Sequence, residues 1–326
     1  MALSKRIRFS ADLAGALVCQ LFLAAGCAQT ATLTLKFTPQ DLTTYKVVTL
    51  TQRGIEFEGS LPKKEDAFKG GRNQEGTEMT FTQQIQSVDD KGNAVAKITI
   101  EALKYHSTVK DRPVLDFDSL KEEDRRNPLA RLIGQSYTIK IAPTGQVTEV
   151  IDVKQARNAV RGDYIADVAA SKLFSPDVIK ERHGLMALPV SGKNRLRTGD
   201  SWSSIKSFSF GIMGTKSYER IYTLKGLEAD NDRQIAVVEM DAIPTAETAE
   251  RLHEQQAAYE LLKMFDNTET YAGQLTLDLT AGKIEKCLEK LLSEWVIVDP
   301  WADQGDKEPA VMRMSATRLY RLEKID

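Results

Sequence analysis

Residues 94–103, AVAKITIEAL, alternate apolar and polar side chains, and the same period of two returns in LTLKF (33–37), YKVVTLTQ (45–52), MTFTQQIQSV (79–88) and SYTIKIA (136–142). Successive side chains of a strand point to opposite faces, so this spacing makes a sheet with one dry and one wet face; a helix needs a period near 3.6. The abundance of Thr, Val and Ile in these runs agrees with antiparallel strands. Asp89-Asp90-Lys91-Gly92-Asn93 and Pro143-Thr144-Gly145-Gln146 each separate two such runs and carry the Gly and Asx residues of tight reversals.

The second half repeats this grammar. GTEMTF (76–81) corresponds to GTKSYE (214–219), NAVAKITIEA (93–102) to RQIAVVEMDA (233–242), and IAPTGQVTEV (141–150) to LDLTAGKIEKC (277–287), with Gly145 opposite Gly282. One order of strand, turn and helix at a nearly constant offset predicts a duplication. Each half carries an insert: Asn127-Pro128 through Gly134 has the cap, first-turn proline and closing glycine of a short helix, and Thr248 to Phe265 has the apolar stripe of a longer one. Between the halves, Asp152 to Leu173 and Ser175-Pro176-Asp177 through Gly184 read as a helical connector, and Ala310 to Leu322 as a final strand. The expected class is α+β: duplicated curved antiparallel sheet units with helical inserts and a helical connector. The expected units are residues 33–151 and 196–326, joined by 152–195.

The first 26 residues belong to a different argument. Lys5, Arg6 and Arg8 precede an apolar run from Leu13 to Ala25, too short for a permanent membrane helix and ended by small residues. This is an export signal. Leu23-Ala24-Ala25-Gly26-Cys27 resembles the lipobox of bacterial lipoproteins, and the resemblance implies cleavage before Cys27, acylation of its thiol, and a tether over 27–32. Two other outcomes fit the same residues: ordinary secretion with a cut after Ala28, or an uncleaved anchor. Ala28 and Gln29 after the cysteine imply delivery to the outer membrane, facing the periplasm, with the membrane itself as first partner through the lipid anchor.

Without residues 1–26 the chain has 41 basic and 45 acidic residues, a formal charge of −4, which gives no footprint for nucleic acid. Cys19 leaves with the signal and Cys27 is acylated, so Cys287 has no disulfide partner and is expected to be a small buried hydrophobe.

Leu188-Pro189, Gly199-Asp200-Ser201-Trp202 and Asp116-Phe117-Asp118-Ser119, together with the lipobox and the two repeats, resemble a family of bacterial lipoproteins known only as a domain of unknown function. That resemblance implies no activity. In grammar the chain is also similar to the periplasmic lipoprotein carriers, whose curved sheet holds acyl chains against helices; architecture of this kind does not confer function.

Motifs for chemistry are weak. His106, His183 and His253 lie in separate segments, and Gly199-Asp200-Ser201-Trp202-Ser203 lacks the last glycine of a nucleophile elbow. Trp202 is expected to plug the sheet, and His183, near a helix end, to serve as a cation on the helix dipole. Asp299, Asp303 and Asp306 do not have calcium-loop spacing, and Ser191-Gly192-Lys193-Asn194 is no phosphate loop. Asp116 and Asp118 would share a face of a strand. No cofactor, metal or catalytic residue is expected; Cys27 is the one assigned site.

Two functions follow. The first is an envelope-anchored, non-catalytic binding or structural module whose concave sheet face receives an apolar ligand such as a lipid, a peptide or an envelope protein. The second is a secreted hydrolase assembled from His106, Asp116 and Asp118. A continuous apolar groove would favour the first, and carboxylates converging with a histidine in a polar cleft the second.

Overall fold

The computed structural model describes residues 30–58, 70–185, 188–189, 195–210, 214–245, 266–298 and 311–325. Cys27, the signal segment, the helix expected over 248–265, His253 and the loop at 299–306 lie outside them. In the first half the strands are β1 (Thr30–Ala31), β2 (Leu42–Glu58), β3 (Gly71–Val88), β4 (Ala94–Val109), β5 (Arg112–Asp118), β6 (Ser136–Ile141) and β7 (Val147–Val150). Three helices follow, α1 (Lys154–Asn158), α2 (Tyr164–Leu173) and α3 (Pro176–His183). The second half holds β8 (Leu196–Arg197), β9 (Ser201–Ser209), β10 (Thr215–Asp230), β11 (Arg233–Thr245), β12 (Asp266–Asp278), β13 (Lys283–Val298) and β14 (Val311–Lys324).

All but β1 and β8 form a single antiparallel sheet in the order β7-β6-β4-β3-β2-β14-β13-β12-β11-β10-β9, with β5 paired to β4. Both halves therefore run through the sheet in the same direction, and β14 joins them by pairing with β2 on one side and β13 on the other. The α+β expectation is too helical: the described chain is mostly antiparallel sheet. Among the described residues α-helix is confined to three short elements within 154–183, and the insert at 127–134 holds a 3-10 helix, Pro128–Leu132, capped by the Asn127 side chain and preceded by another at Glu122–Arg126. The connector's capping signals act as read, with Ser175 accepting from the Val178 amide, Pro176 in the first turn and Gly184 closing α3.

The sheet is rolled. In a flat sheet β9 would stand about 24 Å from β14, five spacings of ~4.8 Å. Instead the Phe208 ring of β9 lies 4.7 Å from the Arg318 guanidinium of β14, and Phe210 packs edge-on against Trp295 of β13 at 5.2 Å. The edge strand has curled back over the inner face. On the first half that face is covered by the helices, where His183 meets Phe81 edge-on at 4.7 Å and Phe174 meets Tyr137 at 5.8 Å.

LTLKF, read as a strand, joins no sheet. Residues 33–37 form an extended strap that buries Leu33 and Leu35. Its backbone bonds the two corresponding turns, Leu35 N–H to the Pro143 carbonyl at 2.8 Å and Lys36 N–H to the Gly282 carbonyl at 3.0 Å. Gly282 has φ +65°, and a Cβ there would stand 2.5 Å from the Lys36 nitrogen, so this turn needs glycine on both counts.

Candidate functional site

Alternation along the rolled sheet decides which side chains face inward. On β14 the inward series is Met312, Met314, Ala316, Arg318, Tyr320 and Leu322; on β13 it includes Cys287, Glu289, Leu291, Ser293 and Trp295. Arg318 and Glu289 thus occupy apolar positions of their strands. On β9 and β10 the same holds for Lys206, beside Phe208, and for Arg220, between Tyr218 and Tyr222.

Of these, Lys206, Phe208, Glu289, Leu291, Arg318 and Tyr320 line a cavity of about 720 Å³ between the sheet, the curled edge of β9 and helices α2 and α3, within the size range of small-molecule sites. Its wall is mixed. Ile165, Val168, Leu291 and Phe208 provide apolar surface, while Arg53, Glu75, Lys172, Glu181, Arg182, Lys206, Glu289 and Arg318 contribute charge. On α2, Tyr164, Ile165 and Val168 are exposed, leaving an uncovered apolar edge along the mouth.

The acidic members are tied down. Glu289 accepts from the Tyr271 hydroxyl at 2.5 Å and lies 3.4 Å from Arg220 and 3.5 Å from Lys206. Glu75 pairs with Lys172 at 3.0 Å and Glu181 with Lys206 at 3.4 Å. Burial, then the neighbouring Glu289, pushes the Tyr271 hydroxyl well above its ordinary range, and burial with Glu75 does the same for Tyr105, so both remain protonated donors. Deeper in the second half, burial alone would raise the Glu269 carboxyl, but bonds from Lys216, Asn267 and Ser293 hold it low. Beneath the strap a second space of about 30 Å³ beside His183 is the size of a water molecule.

The residues of the hydrolase reading are elsewhere. The β4–β5 register sets His106 opposite Asp116 and Lys104 opposite Asp118, on the outer face, while Tyr105, Ser107 and Leu115 turn inward. His106 bonds Gln74 at 2.6 Å and lies over Gly76; Asp118 pairs with Lys104 at 3.3 Å. Asp118 is held below its usual range, first by the Leu120 amide. None of the three lines either cavity. His183 does not sit as a cation on its helix end: it is buried, its Nε2 2.6 Å from the Tyr137 hydroxyl, and burial followed by adjacent Arg182 lowers its pKa well below the ordinary value. Trp202 does stack in the sheet, on Tyr222 at 5.6 Å, and Cys287 is fully buried and unbridged. Among the described residues no group of three His, Cys, Asp or Glu could hold a metal ion.

Sequence reasoning missed Arg53, Lys206, Glu289 and Arg318. The signal that could have found them is parity, a charged residue at an inward position of an alternating strand.

Residues 91–284 match a family described as "Family of unknown function (DUF6263)". No curated protein matches the chain. Among solved structures, one of lipid–protein interactions in lipovitellin aligns with a TM-score of 0.38 at 10% identity, covering 89% of this chain and 26% of that one. DynF from the dynemicin biosynthesis pathway of Micromonospora chersina aligns with a TM-score of 0.20 at 6% identity, covering 92% and 88%. The chain spans about a quarter of the lipovitellin chain, and both likenesses are too loose to bear on fold or ligand.

Proposed function

The chain belongs to the family of unknown function DUF6263, and from that premise we propose that it is a non-catalytic binding protein, tethered to the cell envelope, that holds a small amphiphilic molecule in the concave face of its sheet. The observation that carries this reading is the cavity of about 720 Å³ under the curled edge of β9. Its inner wall mixes apolar surface with charged and polar groups, which suits a ligand with one wet and one dry part better than a wholly apolar one. Its mouth is bordered by the exposed apolar edge of α2.

Lipidation of Cys27, delivery to the outer membrane and division into repeats 33–151 and 196–326 are parts of the same proposal. The first described strand, β1, starts at Thr30. Three extended residues reach only about 10 Å, so an anchor on Cys27 would hold the body close against the bilayer. Two acyl chains, at about 0.8 kcal/mol per buried CH₂, would make that attachment lasting.

Two experiments test these parts. Metabolic acyl labelling of the wild type should mark the protein, and Cys27→Ala should abolish the label; persistence of the label would remove the anchor. For the binding role, the Cys27→Ala chain is purified and its organic extract analysed by mass spectrometry. A recurrent amphiphile near one per chain supports the reading, and an empty extract from a folded protein opposes it.

A further inference from the structure

The cavity's basic side chains fall into two groups. Lys172 and Lys206 are matched by Glu75, Glu181 and Glu289. Arg53, Arg182 and Arg318 have no carboxylate within ion-pair distance among the described residues. The wall holds five basic and three acidic side chains, an excess of positive charge in a chain whose formal charge is −2.

Arg53 and Arg318 come from neighbouring strands on one face, since Arg53 stands opposite Ala316 and Arg318 opposite Thr51. Both reach the same backbone carbonyl, that of Ser209 on the curled edge, at 2.9 and 3.5 Å. Between them two guanidinium groups carry about ten N–H donors, and this one carbonyl is their only acceptor among the described residues. Arg182 is 2% exposed; it donates to the Leu173 carbonyl at 3.0 Å and leaves a second buried nitrogen, Nη1, without a partner. Buried cations are ordinarily paired, because an uncompensated one costs several kcal/mol. Arg182 is buried in this way, and the half-buried Arg53 and Arg318 share its cavity wall without a carboxylate partner, so together they mark the place of a negative charge supplied from outside.

We propose that the cavity's ligand carries an anionic head, a carboxylate or a phosphate, received by Arg53 and Arg318, with its apolar tail directed along Phe208 and the exposed edge of α2. This deepens, and rests on, the binding role proposed above. Planar guanidinium groups match both head types by paired N–H···O bonds. The lowering of the Arg318 pKa, by burial first and then by Arg53 against the opposing Glu181, agrees with positive charge that the protein's own carboxylates leave uncompensated.

The test titrates the full-length Cys27→Ala chain, which has no covalent acyl group, with a fluorescent long-chain fatty acid, its methyl ester, and the alkyl monophosphate of the same tail. The acid or the phosphate should bind at least about tenfold tighter than the ester, as charge-assisted hydrogen bonds would give. The stronger of the two identifies the head. Arg53→Gln with Arg318→Gln should reduce this preference to within about twofold, whereas Lys at both positions should keep most of it. Equal binding of acid, phosphate and ester by the unaltered chain overturns the anionic head while leaving the cavity's binding role intact. A preference undiminished in the double Gln variant shows that the arginines only staple β9 to the sheet, and also overturns it. If no probe binds, the binding role itself fails, and this inference with it. Should the double variant not fold, the acid-to-ester ratio of the unaltered chain decides.

Discussion

His183 is enclosed by Phe81 and Tyr137, and its neutral ring must take up a proton when the chain unfolds in mild acid. Its folded pKa lies well below the ordinary ~6.5, so below that pH the unfolded state binds more protons than the folded one. Stability from this group is present above about pH 6.5 and is lost as pH falls, by up to about 1.4 kcal/mol per unit. Urea denaturation from pH 7.5 to 5 should show this slope, and His183→Gln should flatten it; identical slopes would mean the ring is not buried neutral. Gly76 offers a second check, since an added Cβ would stand 1.9 Å from the His106 ring. Gly76→Ala should cost roughly 1–3 kcal/mol through overpacking, and His106→Ala in the same chain should recover much of it. An unchanged urea midpoint for Gly76→Ala would mean that the ring moves aside freely. Neither role was legible from the residues alone. A histidine near a helix end reads as a cation on the dipole until Tyr137 and Phe81, more than 40 positions away, are seen to close over it.

At the scale of elements, the hairpins were legible because their turns are local chemistry. Asp89 accepts from the backbone of Lys91 and Asn93, as its place in the turn requires. The segment 33–37 was misread because period two reports only that alternate side chains are buried; it does not report whether the backbone has a neighbour to pair with. Leu33 and Leu35 are buried, yet their strap clamps the turns at 143 and 282 from outside the sheet. Leu33→Ala should therefore destabilise the fold by about 2–5 kcal/mol, as in a core. It should also speed amide exchange at Lys36, whose N–H closes onto Gly282. Loss of stability below ~0.5 kcal/mol would show the strap to be an appendage. The 3-10 insert and the connector's caps were readable for the same reason as the turns: Asn127, Ser175 and Gly184 act within a few residues of themselves.

For the molecule as a whole, strand parity could be read but the roll could not. Which strands lie side by side, and that β9 curls onto β13 and β14, depends on β14 returning to pair with β2 some 260 positions upstream. The cavity exists only because of that return, which is why Arg53 and Arg318, distant in sequence, share one carbonyl while His106, Asp116 and Asp118 remain outside it. The central claim is occupancy of this cavity. Native mass spectrometry of the Cys27→Ala chain, beside Thr51→Trp and Val168→Trp variants that fill the cavity from its floor and its mouth, tests it most directly. A mass increment of one amphiphile on the parent, absent from both folded variants, is the expected result; a bare parent mass, or an increment that survives both tryptophans, would contradict it.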